Sequence, residues 1–308
     1  RAVGAFPRAD GSVEPESGAR LKAEQGVLSL SRGQYVEALD QLYRAAAAGD
    51  GANRPAEGWT QSPYWNDAAY VAERVLTTEE LKAYVDRLPA ATPAPARPAG
   101  FGSYTPDQFY AWRRLNPPPA HDRLRQLLAR RLVREGRAAE ALPYFPADDD
   151  PRFARVDDDD GNWTIRESDV RQRAAQYATA LQTAGSAWGR TRRARAWYDA
   201  AALARRDGIR IMGYEQGPDY AVYDGNYSAG AGRDANPWWR EARADAGQPM
   251  DTPRQRAEAD LPGPYVTPEE RARYAASEAR PNVRYHYRQI AAGYALKAAD
   301  ELPSRSQA

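Results

Sequence analysis

The residues best suited to chemistry in this chain lie between positions 213 and 239, GYEQGPDYAVYDGNYSAGAGRDANPWW. Tyr214, Tyr220, Tyr223, Tyr227, Trp238 and Trp239 alternate there with Glu215, Asp219, Asp224, Asn226 and Asp234. An aromatic face stacks on the apolar face of a sugar ring, while carboxylates and amides take its hydroxyls, so this composition suits a carbohydrate. The expected contact set is Tyr214, Glu215, Tyr220, Tyr223, Asp224, Asn226, Trp238 and Trp239. The competing reading is a long Ω-type loop packed by its own aromatics. Glu215 with a neighbouring aspartate could in principle form a glycosidase pair, but an acid-rich chain offers many such pairs at this spacing. No catalytic residue is therefore assigned.

Other reactive constellations are weaker. The run RVDDDDGNWTIRE at 155–167 invites comparison with a calcium loop having Gly161 as its turn glycine. Asp158, Asp160, Asn162, Thr164 and Glu167 then fall on or near ligand positions, but Val156 occupies the first, which normally carries an anion. A solvated acidic loop is the expectation. His121 and His286 are the only histidines, which excludes a three-histidine zinc site, and a Ser-His-Asp triad lacks a supporting Gly-x-Ser-x-Gly elbow. Without cysteine there is no disulfide, thiolate metal site or cysteine nucleophile. Gly230 and Gly232 follow no strand, and no Walker lysine accompanies them. Neither metal nor cofactor is expected. Arg190, Arg192, Arg193 and Arg195 lie beside Trp188 and Trp197 and could grip phosphates. With a net charge of +1 and carboxylates interleaved throughout, a solvated face paired to acids is expected instead of nucleic-acid binding.

The elements that would carry such residues are helices. In residues 19–48, Ala38, Leu42 and Ala45 recur at helical spacing behind Gly33 and Tyr35, giving two amphipathic helices that meet at Gly33. Residues 123–145 repeat the rhythm with Leu128, Ala129 and Leu132, then Gly136, Ala141 and Phe145. Pro143 departs from it, because proline inside a helix removes a hydrogen bond. Gly26, Gly33, Tyr35, Ala38 and Leu42 resemble the glycine, tyrosine, small and bulky positions of the tetratricopeptide repeat. Lys22, Gln25 and Ser29 stand where that family carries an aromatic, a leucine and a tyrosine. The resemblance implies an all-α, TPR-like α-solenoid of stacked helix pairs, interrupted by a long irregular aromatic-rich insertion.

Start signals are explicit elsewhere. Ser62 with Pro63, Thr77 with Glu80, Thr105 with Pro106, Thr252 with Pro253 and Thr267 with Pro268 predict helix N-termini. Further helices are expected over 165–188, 190–206 and 282–302, and the Thr77 helix is expected to reach Leu88. The proline-rich stretch 89–100 reads as a stiff linker. The organisation expected is an extended arm (1–18), helical repeats (19–88), a Pro/Ala-rich linker (89–104), central repeats (105–208), the irregular insertion (209–252) and C-terminal helices (253–308). No apolar run reaches the roughly 20 residues of a membrane span. A first residue other than methionine is read as processing or trimming. The resemblance implies a non-enzymatic scaffold for protein–protein interaction in a bacterial envelope or outside the cell, periplasmic or extracellular, holding a protein or peptide on its surface. A glycan bound at 213–239 is the alternative, and homo-oligomerisation stays open.

Overall fold

The computed structural model describes residues 15–52, 63–159, 162–213, 266–277 and 286–302. Of these, 72% are helical, in eleven helices with one two-stranded sheet. The described residues fall into two compact units, one drawn from 1–87 and 222–282, the other from 88–221 and 283–308.

The first unit begins with α1 (Pro15–Ser31) and α2 (Tyr35–Ala52). Gly33, at φ +73°, turns the chain between them. Its amide donates to the Leu30 carbonyl at 3.0 Å and the Gln34 amide to the Ser29 carbonyl at 2.9 Å, which satisfies the last carbonyls of α1. Ala19, Ala23 and Leu30 of α1 are buried against Ala38, Leu39, Leu42 and Ala45 of α2. Gly26 permits the close approach: a Cβ there would stand 2.6 Å from Leu42 Cγ. Full burial of the Leu42 side chain contributes about 2 kcal/mol by removing apolar area from water.

Next comes α3 (Pro63–Tyr70), which runs directly into a π-helical turn, Val71–Val75, closed by a 2.9 Å bond from the Leu76 amide to the Val71 carbonyl. That widened turn buries all five of its side chains, including Glu73 and Arg74. The spacing of Tyr64, Ala68, Val71 and Val75 predicts one packing face, and there Ala68, Val71 and Val75 are buried and Tyr64 is half-buried. Thr77 and Glu80 close the reciprocal capping box of α4 (Thr78–Val85), which ends three residues short of Leu88. Tyr84 ties α4 to α2 by donating to Asp40 at 3.0 Å. Helix α10 (Pro268–Ala276), capped by Thr267, completes the unit against the π turn. Tyr70 donates to Glu270 at 3.0 Å, the Arg74 guanidinium lies 4.1 Å above the Tyr274 ring, and Arg273 reaches Glu80 at 2.8 Å.

The second unit opens with residues 89–98, which form neither helix nor strand but are not idle. Thr92 donates its amide to Asp122 at 3.3 Å and its carbonyl accepts from Arg152 at 2.8 Å, so the proline-rich stretch is pinned to neighbouring helices. Helix α5 (Pro106–Leu115) begins at the expected Thr105 cap, where Gln108 supplies the second half of a capping box. Then follow α6 (Ala120–Arg134) and α7 (Ala138–Ala141). The Gly136 turn, φ +80°, reproduces the Gly33 bonding: Gly136 donates to Val133 and Arg137 to Leu132. Beyond the turn the two hairpins part, because Pro143 stops α7 after four residues and the chain passes into a 3-10 turn.

Two corrections concern 146–169. The acidic run is a β-hairpin, β1 (Arg155–Asp159) and β2 (Asn162–Arg166), paired in register from Arg155 opposite Arg166 to Asp159 opposite Asn162. Asp158 stands opposite Trp163, and alternation puts it on the face away from Asn162 and Thr164, so these candidate ligands do not converge as a calcium loop requires. Asp148 and Asp150 are likewise structural. Asp148 accepts from the Arg171 and Gln172 amides at 2.9 and 3.1 Å, and buried Asp150 pairs with Arg152 at 2.6 Å. Ile165, expected to open a helix, lies in β2 and packs instead into an aromatic core with Phe101, Phe109 and Ala154.

Helix α8 (Val170–Ser186) packs on α9 (Arg190–Ile211), and α9 packs on α11 (His286–Asp300). Gly208 admits the Tyr287 ring, whose nearest carbon would lie 2.5 Å from a Cβ at that position. Trp197 stacks on Tyr294 at 5.2 Å, and Lys297 sits 4.6 Å above the Trp197 ring. Arg130 and Arg134 of α6 donate to the carbonyls of Ile209 and Met212 at 3.0 and 2.6 Å, capping the end of α9 with positive charge.

Candidate functional site

The expected contact set, Tyr214, Glu215, Tyr220, Tyr223, Asp224, Asn226, Trp238 and Trp239, lies outside the described residues, as do Gly230, Gly232, Thr252 and Pro253. Within the described residues, two concave surfaces involve the α8–α9 hairpin, a crease along one side and a charged cavity at one end.

The crease runs between the two helices with a volume of about 680 Å3. From α8, Gln172, Gln176, Thr179 and Thr183 recur at spacings of four, three and four, and so form one stripe along the helix. From α9, Arg192, Arg195, Asp199 and Leu203 form the facing stripe at spacings of three, four and four. Ala175, Ala180 and Ala196 make the floor. Small residues hold the two helices close, while the flanking amides and hydroxyls offer both donors and acceptors. The Thr179 hydroxyl donates to the Ala175 carbonyl at 2.9 Å, which leaves its oxygen as an acceptor. Arg195 pairs with Asp199 at 3.0 Å on the wall.

The expectation that the Arg190–Arg195 cluster is paired to acids holds for three of its members. Arg193 grips Glu301 with two bonds of 2.8 Å, Arg190 stands 3.8 Å from the same carboxylate and donates to the Asp300 backbone carbonyl at 2.8 Å, and Arg195 takes Asp199. Arg192 lines the crease together with the Arg195–Asp199 pair. Arg193 in turn holds the Glu301 carboxyl below the usual range.

The end cavity encloses about 290 Å3 where the β-hairpin, the start of α8 and the end of α9 converge. Arg155, Arg166, Arg173, Arg206 and Arg210 line it together with Glu167, Asp169 and Asp207. Asp169 accepts from Arg173 at 3.0 Å and from Arg210. Burial pulls its carboxyl upward, but the bonds from Arg210 and Arg173 outweigh burial and hold it below the usual carboxylate range.

No family model, curated protein or solved structure matches this chain.

Two further polar clusters are structural in geometry. Thr92 Oγ1 lies 2.8 Å from His121 Nε2, and Asp122 Oδ1 lies 3.5 Å from the same nitrogen. A hydroxyl–imidazole–carboxylate relay needs its two partners on opposite ring nitrogens, so this trio is no catalytic triad. Burial raises the Asp122 carboxyl, against the pull of His121 and Arg152. In the first unit, Glu73, Arg74 and Glu270 are fully or almost fully buried around the π turn and brace α10. Among the described residues no group of three or more His, Asp or Glu side chains is placed to hold a metal ion, and no helix is long and apolar enough to cross a membrane.

The crease and the cavity escaped sequence reading for different reasons. The stripe Gln172, Gln176, Thr179 and Thr183 is polar and looks like any solvated helix face until the partner helix is placed beside it. The cavity draws one arginine from each strand, one from α8 and two from α9, and only the fold collects them. The surplus of arginine over lysine, with only three lysines among 43 basic residues, is the one signal that could have pointed there.

Proposed function

We propose that this chain is a non-enzymatic, TPR-like helical scaffold that holds an extended segment of a partner polypeptide in the α8–α9 crease. The observation that carries the reading is the stripe of Gln172, Gln176, Thr179 and Thr183 facing Arg192 and Arg195 across an alanine floor. An extended peptide carries a row of unsatisfied amides and carbonyls, and glutamine and threonine side chains can answer both. The eleven helical rises from Gln172 to Thr183 span roughly 16 Å, the length of about five extended residues. Arg192 at one side favours a carboxylate in the bound segment.

Consecutive packing supports the solenoid part of this reading: α1 on α2, α2 on α3, α6 on α7, α7 on α8 and α8 on α9 are all neighbour contacts. The near-identical Gly33 and Gly136 turns add to it. Envelope or extracellular placement in a bacterium is part of the proposal and rests on the resemblance alone. A glycan ligand at 213–239 would need a contact between those aromatics and a sugar, and no described residue favours it.

The test is selection of a random peptide library on the full chain, followed by affinity measurement on the enriched peptides. Binding should fall tenfold or more in a Gln176→Ala/Thr179→Ala double variant and stay unchanged in Trp188→Ala, whose side chain is 96% exposed outside the crease. Enriched peptides indifferent to the double variant, or no enrichment, would sink the reading.

A further inference from the structure

The end cavity differs from the crease in chemistry, with five guanidiniums facing three carboxylates around about 290 Å3. Neighbours just outside the lining do not change the balance. Asp157 bridges Arg155 at 3.0 Å and Arg166 at 2.7 Å, and Arg97 pairs with Glu167 at 2.5 Å. Two positive charges are therefore in excess in a partly enclosed space, where like charges repel more strongly than they do in open water.

The arginines are also arranged to keep an edge in reserve. Arg166 commits its Nε to Asp157 and Arg173 its Nε to Asp169, while Arg210 uses one terminal nitrogen on Asp169. Arg206 takes Asp207 with Nε and Nη2, both at 2.9 Å. Among the described residues, the terminal nitrogens of Arg166 and Arg173 and the second terminal nitrogen of Arg210 have no acceptor. The carboxylates they use hold them in position, as a frame holds a clamp. Asp207 is buried and Arg210 partly buried at the back wall, while Arg166 and Arg206 are exposed at the rim.

We infer that this cavity is a binding site for a small phosphate-bearing dianion. A planar guanidinium with a free edge matches two phosphate oxygens at once, and three such edges would meet a tetrahedral group that offers more acceptors than a carboxylate. The volume lies at the lower end of ligand pockets, about 300–1,000 Å3, which favours free phosphate or a compact phosphomonoester over a nucleotide. This site is independent of the peptide crease and either proposal can fail alone.

The experiment is calorimetric titration of the full chain with inorganic phosphate and, separately, with O-phosphoserine at constant ionic strength, accompanied by thermal unfolding. Both probes should bind, and each should raise the unfolding temperature where matched chloride does not. Tighter binding of phosphoserine would identify a phosphomonoester as the source, and tighter binding of inorganic phosphate the free ion. Arg173→Gln with Arg210→Gln should weaken binding at least tenfold. Arg166→Gln, at an exposed rim position that cannot endanger folding, should weaken it several-fold; Arg195→Gln in the crease should leave it unchanged. If the surplus charge serves a ligand, Arg166→Gln should also leave the phosphate-free protein as stable as before or slightly more so. Equal stabilisation by chloride, or phosphate affinity unaltered in Arg166→Gln, would overturn the assignment.

Discussion

The α1–α2 and α8–α9 hairpins are built by the same device and put it to opposite uses. In both, small residues line the contact and a positive-φ glycine marks the turn, Gly33 in one and Gly189 in the other. In α1–α2 the space released by Gly26 is taken by Leu42, and α3 also packs on α2. In α8–α9 the space beside the alanines is flanked by Gln172, Gln176, Thr179 and Arg192, and it stays concave. A small-residue seam therefore says only that two helices come close. What stands beside the seam decides whether it becomes core or a binding crease.

The largest expected effect separates the two hairpins by stability. Leu42→Ala should cost about 3 kcal/mol, since the side chain is fully buried and its removal leaves a cavity. Leu203→Ala on the crease wall should cost under about 1 kcal/mol, in keeping with its partial exposure. Urea unfolding of both variants reads the difference, and equal losses would dissolve the comparison.

Glycine substitutions sharpen it next. Gly26→Ala should destabilise by about 1–3 kcal/mol, because the 2.6 Å approach to Leu42 outweighs the gain in helix propensity. Gly185→Ala in α8 meets open space and should instead stabilise by about 0.5 kcal/mol. Opposite signs are the expected result in thermal unfolding of the pair.

A smaller effect is electrostatic. Asp169 at the start of α8 has its folded-state carboxyl held down, so its contribution is present above its unfolded pKa of about 3.9 and is lost as pH falls through the lower folded value. The stability gap between the wild type and Asp169→Asn should shrink as pH drops from 6 toward 2.5. The loss from Leu42→Ala, being apolar, should hardly change over the same range. A gap that widens in acid would reverse the assigned sign.

What could be read without the fold was local. The Gly33 and Gly136 turns, the Thr77–Glu80 box and the Thr105 and Thr267 caps each depend on residues within four positions, and each stands as expected. The π turn at Val71–Val75 could not be read, because its i→i+5 closure is stabilised by α10, which is nearly 200 residues away in sequence. The β-hairpin was missed because four consecutive aspartates carry little strand propensity; Val156 and Ile165, one on each strand, secure it against the Phe101–Phe109 core. Similarly, Pro143 was visible as an interruption, but the one-turn length it leaves to α7 depended on Phe145 turning into the core. The aromatic stretch 213–239, the most conspicuous in the sequence, lies outside the described residues, so the surface offered here rests on residues with no motif.

The central claim is that the α8–α9 crease receives an extended peptide. The most direct measurement is backbone amide chemical-shift mapping of the full chain titrated with a library-selected peptide. Shifts confined to Gln172–Thr183 and Arg192–Leu203, and abolished in Gln176→Ala/Thr179→Ala with stability changed by less than about 0.5 kcal/mol, are the predicted result. Shifts centred on any other element, with the crease silent at saturation, would contradict it.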